Sequence, residues 1–78
     1  MIYRMELNMK ISDSKSLGGA IRTRRKELGY TQQYIADFTG LSVSFLSELE
    51  NGKPTAELEK ALKVINILAL DLSVEARG

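Results

Sequence analysis

The feature that most constrains this sequence is its punctuation. Gly29, Gly40 and the Asn51-Gly52 dipeptide each follow a short apolar-periodic segment, and each suits the left-handed backbone that ends a helix. Each segment is also opened by side chains that can accept from the free N–H groups of a first helical turn. The polar run Ser12-Asp13-Ser14-Lys15-Ser16 leads into Leu17, Ile21 and Leu28 at helical spacing and predicts a first helix over residues 14–28. Thr31 opens a second, Gln32 to about Phe38, with Ile35 and Phe38 inward and Tyr34 partly covered. Ser42 opens a third, with Phe45, Leu46 and Leu49 inward. Lys53-Pro54-Thr55 interrupts the chain, since proline disfavours helix in the residue before it. Thr55 or a neighbour then caps a fourth helix, with Glu57 and Glu59 near its positive end.

The fourth helix is apolar around much of its girth. Leu58, Leu62, Ile65 and Ala69 form one stripe, Ala61, Val64 and Leu68 a second, and Ile67 widens the pattern. A chain of 78 residues cannot cover all of this surface, which implies a partner, most simply a second copy. Both ends of the chain alternate as half-buried strands do. Tyr3, Met5, Leu7, Met9 and Ile11 share one face near the start, and Leu70, Leu72, Val74 and Ala76 share one at the end. An isolated two-stranded ribbon is marginal in water, so these strands are expected to pair with each other, with a partner's copies, or both. The first residues are alternatively an extension before a natural start at Met5 or Met9.

Composition narrows the chemistry. The chain has no cysteine, histidine or tryptophan, which excludes disulfides, thiolate metal sites and histidine-dependent nucleophiles. No pair of titratable groups with opposed environments can be assigned, so an enzyme is the least expected class, and no cofactor or metal is expected. No stretch is long and apolar enough to span a membrane, and charge interrupts the N-terminus too often for a signal peptide, so a cytoplasmic protein is expected. The net charge of +1 conceals polarity. Residues 1–30 hold seven bases against three acids, whereas residues 31–78 hold four against seven.

Function converges on Gln32 to Asn51. Two short helices joined by a tight turn need a small side chain at their crossing and a glycine at the turn, and Ala36 and Gly40 supply them. With Leu46 and Leu49 pinned to the core, the third helix projects Ser42, Val43, Ser44, Ser47 and Glu48. Short hydroxyl and aliphatic side chains allow close approach to base edges in the DNA major groove. A carboxylate there repels phosphate unless it accepts from a cytosine amino group or pairs with an arginine.

Residues 17–54, LGGAIRTRRKELGYTQQYIADFTGLSVSFLSELENGKP, resemble the phage-repressor (Xre/Cro-like) helix-turn-helix family. The resemblance rests on Arg24-Arg25-Lys26 with Leu28-Gly29, Thr31-Gln32-Gln33, Ile35-Ala36, Gly40, Leu41-Ser42 and Ser47 to Gly52. It implies a mainly α, four- to five-helix, lambda-repressor-like DNA-binding domain. Its expected organisation is an N-terminal strand or extension over 1–12, the domain over 13–69 with its motif at 32–51, and a dimerising strand over 70–78. The ending from Glu59 to Leu72 further resembles HipB-type antitoxins. Those relatives imply a homodimer that binds an inverted-repeat operator, represses its own operon and restrains a HipA-like kinase toxin. A plain regulator without a toxin, or a protein-interaction adaptor on the same fold, are the alternatives.

Carried over by position, the resemblance implies base reading by Ser42, Val43, Ser44, Ser47 and Glu48. It implies phosphate contact by Gln32, Gln33, Asn51 and Lys53, with Arg22 added from the basic cluster on the first helix. Arg25 and Glu50 match a structural salt bridge. Dimerisation is expected through Val64, Ile67, Leu68, Leu70, Leu72 and Val74.

Overall fold

A computed structural model describes residues 9–78 and contains four helices, α1 (Ser14–Glu27), α2 (Gln32–Thr39), α3 (Val43–Glu50) and α4 (Leu58–Ile67). Cap chemistry sets three of the four starts. Asp13 accepts from Ser16 N at 2.7 Å while Ser16 Oγ accepts from Asp13 N, a reciprocal capping box for α1. Thr31 Oγ1 accepts from Tyr34 N, and Ser42 Oγ from Phe45 N, each at 3.0 Å. The fourth start differs from expectation. Glu57, not Thr55, is the cap residue of α4, and its side chain bonds none of the helical N–H groups. Gly29, Gly40 and Gly52 all have positive φ, between 77° and 82°, and terminate α1, α2 and α3.

The helices enclose a core of Ile21, Ile35, Leu46, Val64 and Leu68, with Ala36, Leu49, Ala61 and Ile65 beside them. Each large aliphatic buried there contributes about 1.5–3 kcal/mol. The backbones of α1 and the end of α3 approach closely. A Cβ on Gly18 would stand 2.3 Å from Leu49 O and 2.7 Å from Glu50 O, so a glycine is required where the two backbones meet. Gly52 is tight as well, its absent Cβ falling 2.6 Å from Lys15 Cα. Gly40 is different: an added Cβ would meet nothing within 4 Å, and glycine is needed there only for its φ of 79°.

Several sequence expectations are corrected. Phe38 faces solvent, 63% exposed, because the inner face of this two-turn helix is taken by Ile35, Ala36 and Thr39. It extends an aromatic row on the outer face, Tyr30 stacked on Tyr34 at 4.7 Å and Tyr34 against Phe38 at 6.1 Å. Phe45 is half-buried at the core's edge, beneath Lys60 Nζ at 5.8 Å. Leu58 is exposed at the first turn of α4, and Ala69 lies past the helix end with a φ of 56°. The two apolar stripes of α4 therefore merge into one inner face.

The same geometry revises the dimerisation residues. Val64 and Leu68 are buried in the chain's own core and are closed to a second copy. Ile67 and Leu70 are half-buried, while Leu72 and Val74 are exposed. No strand occurs among the described residues, and residues 70–78 lie outside any regular element, since strand pairing needs a neighbouring edge. Most of the expected N-terminal strand, residues 1–8, lies outside the described residues. Met9 and Ile11 are exposed and line a largely apolar groove with Leu17, Ala20, Ile65, Leu70, Asp71 and Leu72.

Candidate nucleic-acid interface

The turn between α2 and α3 is held by side chain and backbone together. Thr39 Oγ1 donates to Ile35 O at 2.7 Å and accepts from Leu41 N at 3.2 Å, while Gly40 N donates to Ala36 O at 2.9 Å. Ala36 is buried at the crossing. With Leu46, Leu49 and Glu50 facing inward, α3 turns Ser44 and Glu48 outward and Ser47 to the margin of the same face. Ser42 is exposed but spends an acceptor site on its cap, and Val43 is half-buried against the core.

One buried carboxylate ties the motif to the rest of the domain. Glu50 accepts from Arg25 Nε at 2.7 Å and Arg25 Nη2 at 2.9 Å, a bidentate pair whose side chains are only 3% and 11% exposed. Arg25 Nη1 also donates to Tyr30 O at 2.8 Å. These bonds to Glu50 hold the Arg25 guanidinium proton more tightly than usual, against the opposing effect of burial. Gln32 Nε2 donates to the same carboxylate, reaching Glu50 Oε1 at 3.1 Å. Arg25 on α1, Gln32 at the start of α2 and Glu50 at the end of α3 thus converge, which fixes the angle at which α3 leaves the core.

The remaining expected contacts are distributed around this frame. Gln32 is half-buried and has one amide proton engaged by Glu50, which leaves its second proton and the first N–H groups of α2, those of Gln32 and Gln33, outside the Thr31 cap. Gln33 is exposed and donates to Asp37 one turn on. Arg22 and Lys26 are exposed on one face of α1. Arg24 is instead drawn inward, with Nε donating to Leu68 O at 3.0 Å and Nη1 paired to Glu27. Asn51 Nδ2 donates to Ser47 O at 2.9 Å and so belongs to the helix end. Lys53 Nζ lies 2.9 Å from Glu48 Oε2.

Two of these links were not read from the sequence. Gln32 and Glu50 are eighteen residues apart and share no local spacing that would signal contact. The Glu48–Lys53 pair was within reach, because a glycine-terminated helix brings the second residue beyond its cap back beside its last turn.

A helix-turn-helix family model matches residues 21–74, and the geometry just described lies within that span. The chain belongs to the helix-turn-helix family. It is 33% identical over 69 residues to the uncharacterized HTH-type transcriptional regulator y4mF of Sinorhizobium fredii, which covers 88% of this chain and 91% of that protein. It is 44% identical over 59 residues to the uncharacterized HTH-type transcriptional regulator YazB of Bacillus subtilis, covering 72% and 86% respectively. Among solved structures, a HipB-O4 20mer complex matches with a TM-score of 0.83 at 24% identity, covering 91% of this chain and 100% of that one. That likeness shows the fold. The helix-turn-helix domain here is of the Xre/Cro-like type, and no helix among the described residues is long and apolar enough to cross a membrane.

Proposed function

We propose that this helix-turn-helix protein is a homodimeric transcriptional repressor that reads an inverted-repeat operator with the outer face of α3. The observation that carries the reading is the α3 surface itself. Ser44, Ser47 and Glu48 project together from a helix locked in place by the Arg25–Glu50–Gln32 junction. Such short side chains let the helix approach base edges closely, and Ser42 and Val43 lie at its leading end. Gln32, at the first turn of α2, holds a phosphate with its free amide proton, helped by Gln33, and Arg22 adds a longer-range basic contact. The near-neutral net charge predicts weak non-specific binding and leaves selectivity to α3.

Dimerisation through the C-terminal segment supplies the two-fold symmetry an inverted repeat demands. Leu72 and Val74 are exposed there, and Ile67 and Leu70 are half-buried at the same end. A selection from random duplexes tests the whole reading. It is expected to enrich an inverted repeat whose half-site centres lie roughly 34 Å apart. Enrichment of single half-sites would oppose the dimer, and no enrichment would favour an adaptor that has lost DNA binding.

The second part of the proposal is that the dimer also restrains a kinase-like toxin. It is motivated by the fold match to a HipA-HipB-O2-O3 complex, with a TM-score of 0.83 at 24% identity. Co-purification of this chain with the product of an adjacent kinase-like reading frame tests it. Absence of any such association would leave a plain repressor.

A further inference from the structure

The outward face of α3 carries one group that should oppose DNA binding. Glu48 lies beside Ser44 and Ser47, and a carboxylate brought against phosphates is repelled at close range. The structure also shows what offsets it. The end of α3 closes in a Schellman turn: Lys53 N donates to Glu48 O at 3.0 Å, Gly52 N donates to Leu49 O at 3.1 Å, and Gly52 has a φ of 82°. The backbone of Lys53 is therefore hydrogen-bonded to the carbonyl of the very residue whose side chain it meets. Where such turns commonly place an apolar contact, this one places an ion pair, Lys53 Nζ to Glu48 Oε2 at 2.9 Å. Gly52 also packs on the backbone of Lys15, which anchors the turn to α1.

We propose that Lys53 is a positioning residue that neutralises Glu48 and directs its carboxylate to a cytosine in each half-site. The pair uses Oε2, so Oε1 is left to accept from the cytosine N4 amino group, the donor that the major groove offers to a carboxylate. This assigns Lys53 a different role from a simple phosphate ligand. A lysine drawn to a phosphate would share its single charge between that phosphate and Glu48, whereas one directed at Glu48 keeps the local charge near zero. Both side chains are about half exposed in the free protein, 47% for Lys53 and 48% for Glu48, so the pair contributes little there and matters once DNA excludes water.

The inference rests on the DNA-binding reading above, and the experiment separates the two. Binding is measured by fluorescence anisotropy for the full chain on the selected duplex and on duplexes with each half-site base replaced in turn. Glu48→Ala is expected to lose roughly 5- to 150-fold discrimination at one cytosine while keeping it at the other positions. Lys53→Met is expected to weaken binding by about tenfold or more, and adding Glu48→Gln to that variant is expected to recover most of the loss. Independent losses in the double variant, with Lys53→Met lowering the salt slope by about one and acting equally on all sequences, would make Lys53 a phosphate ligand and overturn the proposal. So would an unchanged base preference in Glu48→Ala. If the unaltered protein itself fails to prefer the selected duplex over random sequence, the repressor reading falls first.

Discussion

Adjacent glycines in α1 should respond to alanine with opposite signs. At Gly18 an ideal Cβ would lie 2.3 Å from Leu49 O, 2.7 Å from Glu50 O and 2.9 Å from Glu50 C. A carbon and a carbonyl oxygen need about 3.3 Å, so α1 must withdraw from α3 by about 1 Å. All three obstructing atoms are backbone, and no rotamer change can relieve them. Overpacking of this kind costs about 1–3 kcal/mol, and three simultaneous contacts place Gly18→Ala at the upper end. Alanine recovers roughly 1 kcal/mol over glycine in a helix interior, which leaves a net loss of about 2 kcal/mol. At Gly19 nothing lies within 4 Å of the added carbon, so only the helix preference acts and Gly19→Ala should gain about 0.5–1 kcal/mol. Urea denaturation reads both. With a slope of about 1 kcal/mol/M for a domain this small, the midpoint should fall by about 2 M for Gly18→Ala and rise by up to about 1 M for Gly19→Ala. A rise in both would refute the claim that α1 and the end of α3 require direct backbone contact.

Three further expectations concern the junction, the first cap and the C-terminus. Glu50→Ala strands the Arg25 guanidinium in a site where it is 11% exposed, and should cost about 3–5 kcal/mol in equilibrium denaturation. A loss under about 1 kcal/mol would mean the pair behaves as a surface pair. Asp13 has its pKa lowered below 3.8, chiefly by the backbone hydrogen bond from Ser16 and then by the Ser16 hydroxyl. Its contribution is therefore present above the unfolded value and is lost as pH falls through the folded one. Asp13→Asn keeps a capping side chain without titrating, so its melting temperature should fall less than the unaltered protein's between about pH 5 and about pH 2. Parallel declines would contradict the assignment. Deleting residues 70–78 removes Leu72 and Val74 and should shift the chain towards monomer in sedimentation velocity, while a truncated chain that stays fully dimeric would move the interface elsewhere.

Much of this molecule was legible in the sequence because its punctuation is local. A cap needs only a hydroxyl or carboxylate and the N–H groups two or three residues away, and a positive-φ terminus needs only glycine. Thr31, Ser42, Gly29 and Gly40 could therefore be placed without knowing the tertiary structure. With Leu46 and Leu49 inward, the same local period turns Ser44 and Glu48 outward, whereas Val43, expected with them, packs half-buried on the core. What escaped depends on helix crossing. Phe38 matched the spacing of Ile35 but lies one position beyond the strip that the core covers, and it joins Tyr34 outside. The spacing placed Ala36 at the crossing of α2 and α3 and Gly40 at their turn, where both stand, but it did not reveal the close contact of Gly18 with the end of α3, on a helix whose distance from α3 no periodicity shows. Gln32 was expected to contact only phosphate, and its second bond to Glu50 arises because three elements meet at one carboxylate.

The central claim is that the outer face of α3 reads DNA sequence, and Ser44 tests it most directly. Ser44 is exposed and none of the side-chain hydrogen bonds within α3 or its caps involves it, so Ser44→Glu should leave the melting temperature almost unchanged. In anisotropy titrations at physiological salt, the unaltered protein should bind its selected duplex at least about a thousandfold more tightly than a scrambled one. Ser44→Glu should abolish that ratio. A folded Ser44→Glu protein that retained the full ratio would contradict the account and move recognition away from α3.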